Sequence, residues 1–262
     1  MEIIIQPTAL AAATLAARLI ATRLTNKPNL VLGCATGRTV ESIYQRLVAL
    51  HHEGLDFSGC RTFNLDEYVG LGSDDQRSYH YYMRQYLFDH VNISPTNTHL
   101  PNGVAPDLKA EARRYETAIA EAGGIDLQLL GLGETGHIGF NEPLSALMSR
   151  TRDKALAPIT LQQNAGFFGG ADKVPKQALT MGVGTILEAR EILMVVTGKK
   201  KASILAKATE GPITAMISAT ALQLHGNCKI IVDEEAATEL QGKDYYRWIF
   251  ENEPDWQKFR TE

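Results

Sequence analysis

Asp66 stands directly after the short apolar run 61–65, where a carboxylate is drawn out of water. Desolvation lifts the pKa of such a group toward the range of a general base, although the same placement also suits a carboxylate that caps the next helix. His137 and Glu142 are five residues apart, with Gly136 and Gly139 permitting tight turns and Pro143 fixing the exit. A loop of that kind can set an imidazole beside a carboxylate that orients it; an isolated histidine is otherwise a satisfied structural group. Thr36, Gly37, Arg38 and Thr39 lie between a strand-like run and a helical pattern. Their hydroxyls and backbone N–H groups can receive a phosphate at a positive helix end, or simply make a Thr-capped turn. The Gly-x-x-x-x-Gly-Lys spacing of a Walker loop is absent. Lys201 ends a run of three lysines at another strand-to-helix step, as a second cation for the same anion or as one of three solvated side chains. One histidine with few other ligand types around it does not suggest a metal site.

The elements that must position these residues follow from periodicity. Apolar runs of strand length occur at 3–5, 30–33, 61–65, 127–131, 192–196 and 229–232. Helical spacing fills 9–24, 40–52, 79–90, 108–122, 201–209 and 214–224. Short strands that are apolar on both sides and separated by helices predict a doubly wound, Rossmann-like α/β fold, its mostly parallel sheet covered by helices on both faces. In such a fold ligands bind beyond the carboxyl ends of the strands, which is where all four polar motifs fall. Residues 152–178 carry Pro158, Gly166, Gly169, Gly170 and Pro175 and read as an irregular, mobile excursion, either a lid or an ordinary surface connection.

Composition narrows the classes. With 262 residues, 44% of them hydrophobic, the chain reads as one large domain over 1–262. A net charge of -4 with interspersed signs offers no cationic face for nucleic acid or a membrane surface. Cys34, Cys60 and Cys228 form no Cys-x-x-Cys pair, which points to neither disulfides nor zinc and places the protein in a reducing cytoplasm. The first residues lack the order of a signal peptide, and no apolar run reaches membrane-spanning length.

Two strings are more specific than any spacing: Phe63-Asn64-Leu65-Asp66-Glu67-Tyr68-Val69-Gly70-Leu71 and Gly136-His137-Ile138-Gly139-Phe140-Asn141-Glu142-Pro143. With Ser149-Arg150-Thr151-Arg152 and the run from Ala178 to Thr185, they make the chain resemble the glucosamine-6-phosphate deaminase family nearly end to end. That family shares its fold with the 6-phosphogluconolactonases. The resemblance implies an amino-sugar phosphate as substrate, glucosamine 6-phosphate first, converted with water to fructose 6-phosphate and ammonia without metal or other cofactor. It implies that His137, oriented by Glu142, assists ring opening, that Asp66 moves a proton between C2 and C1, and that Thr36 to Thr39 and Lys201 hold the phosphate. Family members range from monomers to hexamers, so a homo-oligomer is open.

The chain departs from the family pattern in two places. Thr135 stands two residues before the histidine, where the family commonly has Asp or Asn, and a hydroxyl carries no negative charge. Gly166 precedes Phe167-Phe168, where the family usually has an arginine. Arg38, inside the anion loop, is the candidate to replace that arginine; the rival is a substrate with a different terminus, a galactosamine phosphate or another acidic sugar. The resemblance also implies only a partial effector site for N-acetylglucosamine 6-phosphate, at Ser145, Arg152 and Lys154, because Ala146 and Ala155 are apolar. Two other functions compete. Lactone hydrolysis needs a base aimed at water and is disfavoured by the full Asp66 to Leu71 string, and a non-catalytic sugar-phosphate sensor has no need of His137 with Glu142.

Overall fold

Each predicted apolar run becomes a strand of one sheet in the computed structural model, which describes residues 1–260. These strands are β1 (Glu2–Gln6), β2 (Val31–Cys34), β3 (Arg61–Asn64), β6 (Leu127–Leu130), β9 (Glu191–Val196) and β10 (Cys228–Asp233), with a two-residue β5 (Thr98–His99) at one edge. The order is β1-β10-β9-β6-β2-β3-β5, and every neighbouring pair is parallel. Every residue of β2, β6, β9 and β10 is buried. Since successive side chains point to opposite faces, this means that both faces are covered.

The covering helices are α1 (Ala9–Asn26), α2 (Arg38–His52), α3 (Tyr79–Tyr86), α4 (Leu108–Glu121), α6 (Val183–Leu187), α7 (Ala202–Thr209), α8 (Lys243–Asn252) and α9 (Gln257–Arg260). Thr8 starts α1 by accepting the Ala11 N–H at 3.1 Å, and the helix buries Ala12, Ala13, Leu15, Ala16, Leu19 and Ile20. The 214–224 region is not the predicted α-helix but a 3-10 turn over Ser218–Leu224. The Thr220 hydroxyl bonds back to the Thr214 and Ile217 carbonyls, drawing the backbone out of helical register.

The second correction concerns residues 152–178. They are not irregular: β7 (Arg152–Ala155), α5 (Pro158–Phe168), a 3-10 turn at Ala171–Lys173 and β8 (Gln177–Thr180) follow one another. Pro158, Gly169 and Gly170 serve as element ends, whereas Gly166 lies inside α5. Pro158 opens α5, and Gly169, at φ 70, closes it in the left-handed conformation. Strands β7 and β8 join β4 (Asp66–Tyr68) in a small antiparallel sheet of order β4-β8-β7.

Candidate active site

The main sheet changes direction between β6 and β2. From β2 the chain winds outward through β3 and β5, and from β6 it winds the other way through β9 and β10. The crevice at the carboxyl ends of such a pair is the usual ligand site of open α/β sheets. Thr36 to Thr39 leave β2, Asp66 follows β3, the His137 loop leaves β6 and Lys201 follows β9, so four adjacent strand ends carry the four predicted motifs.

Asp66 is buried at the start of β4, opposite Thr180 of β8. Among the described residues its carboxylate takes no hydrogen bond; burial, and then the charge of Glu67, push its pKa up to about 8. Capping falls to its neighbour. Glu67, fully buried, accepts the backbone N–H groups of Tyr68, Tyr79 and His80 and lies 2.9 Å from His80 Nδ1, so it closes the N-terminus of α3 and leaves Asp66 free. Gly139, at φ 54, makes room for the aspartate: a Cβ there would stand 3.5 Å from Asp66 Oδ2 and 3.0 Å from Thr180 Oγ1. The carboxylate therefore lies against the histidine loop.

The imidazole of His137 lies over the backbone of Gly133, where an added Cβ would come within 2.1 Å of Nε2. Its Nδ1 is 2.8 Å from Thr135 Oγ1 and 3.5 Å from Glu142 Oε2. The shorter contact to the ring is thus from Thr135, while Glu142 contributes charge from slightly farther away. Burial pushes the Glu142 carboxyl up, but contacts with His137 and Thr160 and the Ala157 N–H, 3.1 Å from Oε1, leave its pKa below the ordinary value.

The anion loop is narrower than predicted. Helix α2 begins at Arg38, with Gly37 as its N-cap at φ 123. The Gly37 N–H is already taken by the Tyr82 hydroxyl at 3.2 Å and the Thr36 hydroxyl meets Tyr79, so the Arg38 and Thr39 N–H groups at the start of α2 are the ones turned to a ligand. Of the three lysines, Lys199 and Lys200 are exposed, whereas the Lys201 ammonium is buried and has no hydrogen-bond partner among the described residues. Burial lowers its pKa, with Glu134 opposing. A desolvated cation of this kind is costly until an anion meets it. Ile204 of α7 packs on Gly136, which draws the Lys201 end of that helix toward the histidine loop. Arg38 is exposed, and its Nη2 lies 4.0 Å from the point where a Gly166 Cβ would stand. The guanidinium therefore reaches the part of α5 from which a residue 166 side chain would project.

Arg152 donates to Asn141 Oδ1 at 2.8 Å and to Ser145 Oγ at 3.1 Å, and burial lowers its pKa. Lys154 shares its face of β7 two residues on. Sequence reasoning missed Asn141, fully buried, whose amide donates to the Ile138 and Met181 carbonyls and pins the histidine loop to the residue just past β8. It also missed Thr180, which accepts the Phe140 N–H at 3.0 Å. Both sit within the quoted strings, but nothing in the type or spacing of Thr180 marked its role.

Comparison with known proteins bears on the family of the chain. The family model described as glucosamine-6-phosphate isomerases/6-phosphogluconolactonase matches residues 6–229. A glucosamine-6-phosphate deaminase of Shewanella loihica is 48% identical over 250 residues, covering 95% of this chain and 93% of the relative. One of Rhodococcus opacus is 47% identical over 260 residues, covering 99% and 100%. Among solved structures, a monomeric glucosamine-6-phosphate deaminase superimposes with a TM-score of 0.90 at 45% identity, over 91% of this chain and 100% of the other. The 6-phosphogluconolactonase of Trypanosoma cruzi shares the fold with a TM-score of 0.73 at 21% identity, over 92% and 97%. With most of its length matched by one family model, and with near-complete relatives at almost half identity, this chain belongs to the glucosamine-6-phosphate isomerase/6-phosphogluconolactonase family.

Proposed function

We propose that this chain deaminates an amino-sugar phosphate, converting glucosamine 6-phosphate and water to fructose 6-phosphate and ammonia. The observation that carries the reading is Asp66, a buried carboxylate with no hydrogen bond among the described residues, whose Oδ2 abuts the loop that bears His137. A carboxyl with a pKa near 8 gives up and takes back a proton readily at neutral pH, as a single base working between two adjacent carbons must. The relatives named above supply the substrate class.

In this reading His137 assists ring opening, in which the O1 hydroxyl loses a proton and the ring oxygen gains one. Asp66 then takes the C2 proton while O1 receives one given up by the C2 ammonium, giving an enolamine with a C1 hydroxyl; Asp66 returns its proton to C1, so that the nitrogen becomes an iminium at C2. Water adds at C2 and ammonia leaves, giving the ketose phosphate. Thr36, Thr39, the free N–H groups of α2, Arg38 and Lys201 hold the phosphate, and that remote binding energy fixes C1 and C2 against Asp66. The 152–178 segment acts as a lid, with α5 lying against the anion loop. In support, Asn164, Phe167 and Phe168 line a small cavity together with Gly37 and Tyr82.

Ammonia release from glucosamine 6-phosphate, galactosamine 6-phosphate, their N-acetyl forms and unphosphorylated glucosamine tests the proposal. The expected result is release from glucosamine 6-phosphate, lowered at least about a thousandfold by Asp66→Asn. Undiminished release by that variant would remove Asp66 from the chemistry, and silence on every amino-sugar phosphate would end the reading. Preference for the galactosamine ester would move it to the C4 epimer.

A further inference from the structure

Among the described residues, two buried oxygens near the start of α5 lack hydrogen-bond partners: Oε2 of Glu142, 3.5 Å from His137 Nδ1, and Oγ1 of Thr160. They belong to different elements. Glu142 ends the histidine loop, whereas Thr160 lies in the first turn of α5, only 1% exposed. Glu142 nonetheless binds the Ala157 N–H that opens the turn carrying Thr160, and the Thr160 hydroxyl helps to hold the Glu142 pKa down.

Helix α5 makes this pairing specific. Its N-cap, Ala157, has no side chain with which to close the helix, and the Glu142 carboxylate does so from outside by accepting the Ala157 N–H at Oε1. Thr160 N–H donates to the Ala157 carbonyl at 2.9 Å, which fixes the threonine one turn above that contact. With Oε1 engaged by the backbone, the orientation of Oε2, the oxygen 3.5 Å from His137 Nδ1, depends on what else it meets. A buried hydroxyl that has no other acceptor, next to a buried carboxylate oxygen that has no donor, is the one group placed to fix it.

We infer that Thr160 is a positioning residue for the proton-transfer pair: its hydroxyl donates to Glu142 Oε2 and holds that carboxylate toward His137 whenever α5 is seated. The inference rests on the reading above for its kinetic consequence but not for its structural one. Thr135, His137, Glu142 and Thr160 then form a continuous file in which hydroxyls flank the imidazole–carboxylate pair on both sides. The same helix carries Gly166 toward Arg38, about 9 Å along its axis from Thr160 at the usual rise per residue. One rigid element thus touches both the anion loop and the proton-transfer pair.

The experiment compares Thr160→Val, which keeps the shape and deletes the hydroxyl, with Thr160→Ser, which keeps the hydroxyl. The valine variant should lose about tenfold in kcat with KM for glucosamine 6-phosphate nearly unchanged, and serine should restore most of it. In a Glu142→Gln background Thr160→Val should cost little more, because it acts through that carboxylate. A substrate-free measurement separates this inference from the deaminase reading: the ¹⁵N shift of His137 Nδ1 should move in Thr160→Val and return in Thr160→Ser. An unmoved shift, equal losses in valine and serine variants, or fully additive losses with Glu142→Gln would each overturn the role. A moved shift in a protein that releases no ammonia would keep it and reject only the proposed reaction.

Discussion

Asp66 and Glu67 are adjacent carboxylates with opposite tasks. Glu67 spends its oxygens on the N-terminus of α3, so its charge is fixed, buried and close; Asp66 is left without donors and feels that charge. The pair shows how a carboxylic acid is brought near neutral pH without a special ligand: burial contributes most and a tethered neighbour the rest. On the anion side, Arg38 is the residue whose role is most open to direct measurement. Arg38→Ala should raise KM for glucosamine 6-phosphate by about ten- to a hundredfold, equivalent to about 1.5–3 kcal/mol for a charge-assisted contact, with kcat little changed. Steady-state kinetics read this directly, and an unchanged KM would return the phosphate to Lys201 and the loop alone. At this scale Asp66, His137 and Lys201 were legible because ionisable side chains at strand ends stand out. Thr160 and Thr180 were not, since a hydroxyl within a helix or strand looks like any other until its partner is seen.

The strands and helices differ in how plainly they were written. The six predicted strands of the main sheet are compact apolar runs, and each was found within a residue or so of its bounds. The small antiparallel sheet was invisible: β4 reads Asp-Glu-Tyr and β7 Arg-Asp-Lys-Ala, too short and too charged for any alternation to show. Their pairing comes from tertiary contact with β8, and it is this sheet that sets Asp66 opposite Thr180. The loop from Gly133 to Glu142 is equally demanding in its geometry. The ring of His137 occupies the space above Gly133, and the Gly133 N–H donates to the His137 carbonyl at 2.9 Å. Gly133→Ala should therefore push the imidazole off its Thr135 contact and lower kcat about a hundredfold, while destabilising the fold by no more than about 1–3 kcal/mol. Kinetics alongside urea unfolding would separate the two effects, and a fully active alanine variant would contradict the stacking.

For the molecule as a whole, the raised pKa of Asp66 is a liability as well as a device. Its folded value, about 8, exceeds the unfolded value of about 3.9, so the native state binds a proton that the unfolded chain has released. Stability from this group is therefore greatest below about pH 4 and is lost as pH rises toward 8. Asp66→Asn cannot lose a proton there, so its unfolding free energy should match the parent near pH 4 and exceed it at pH 8 to 9 by up to about 5 kcal/mol, with a correspondingly higher midpoint of thermal unfolding. Equal midpoints at both pH values would mean that the carboxylate is not held at a cost.

The order of the sheet has a further consequence for how the protein is made. Strand β1 has a single neighbour, β10, with Glu2 opposite Lys229, and α1 packs across both. Strand β1 thus leaves the ribosome well before its partner, and until residues 228–233 emerge the buried stripe of α1 lacks much of the surface that shelters it. A nascent chain of this topology carries that segment greasy and unclaimed while about two hundred residues follow it, which is the interval in which a chaperone would have something to hold.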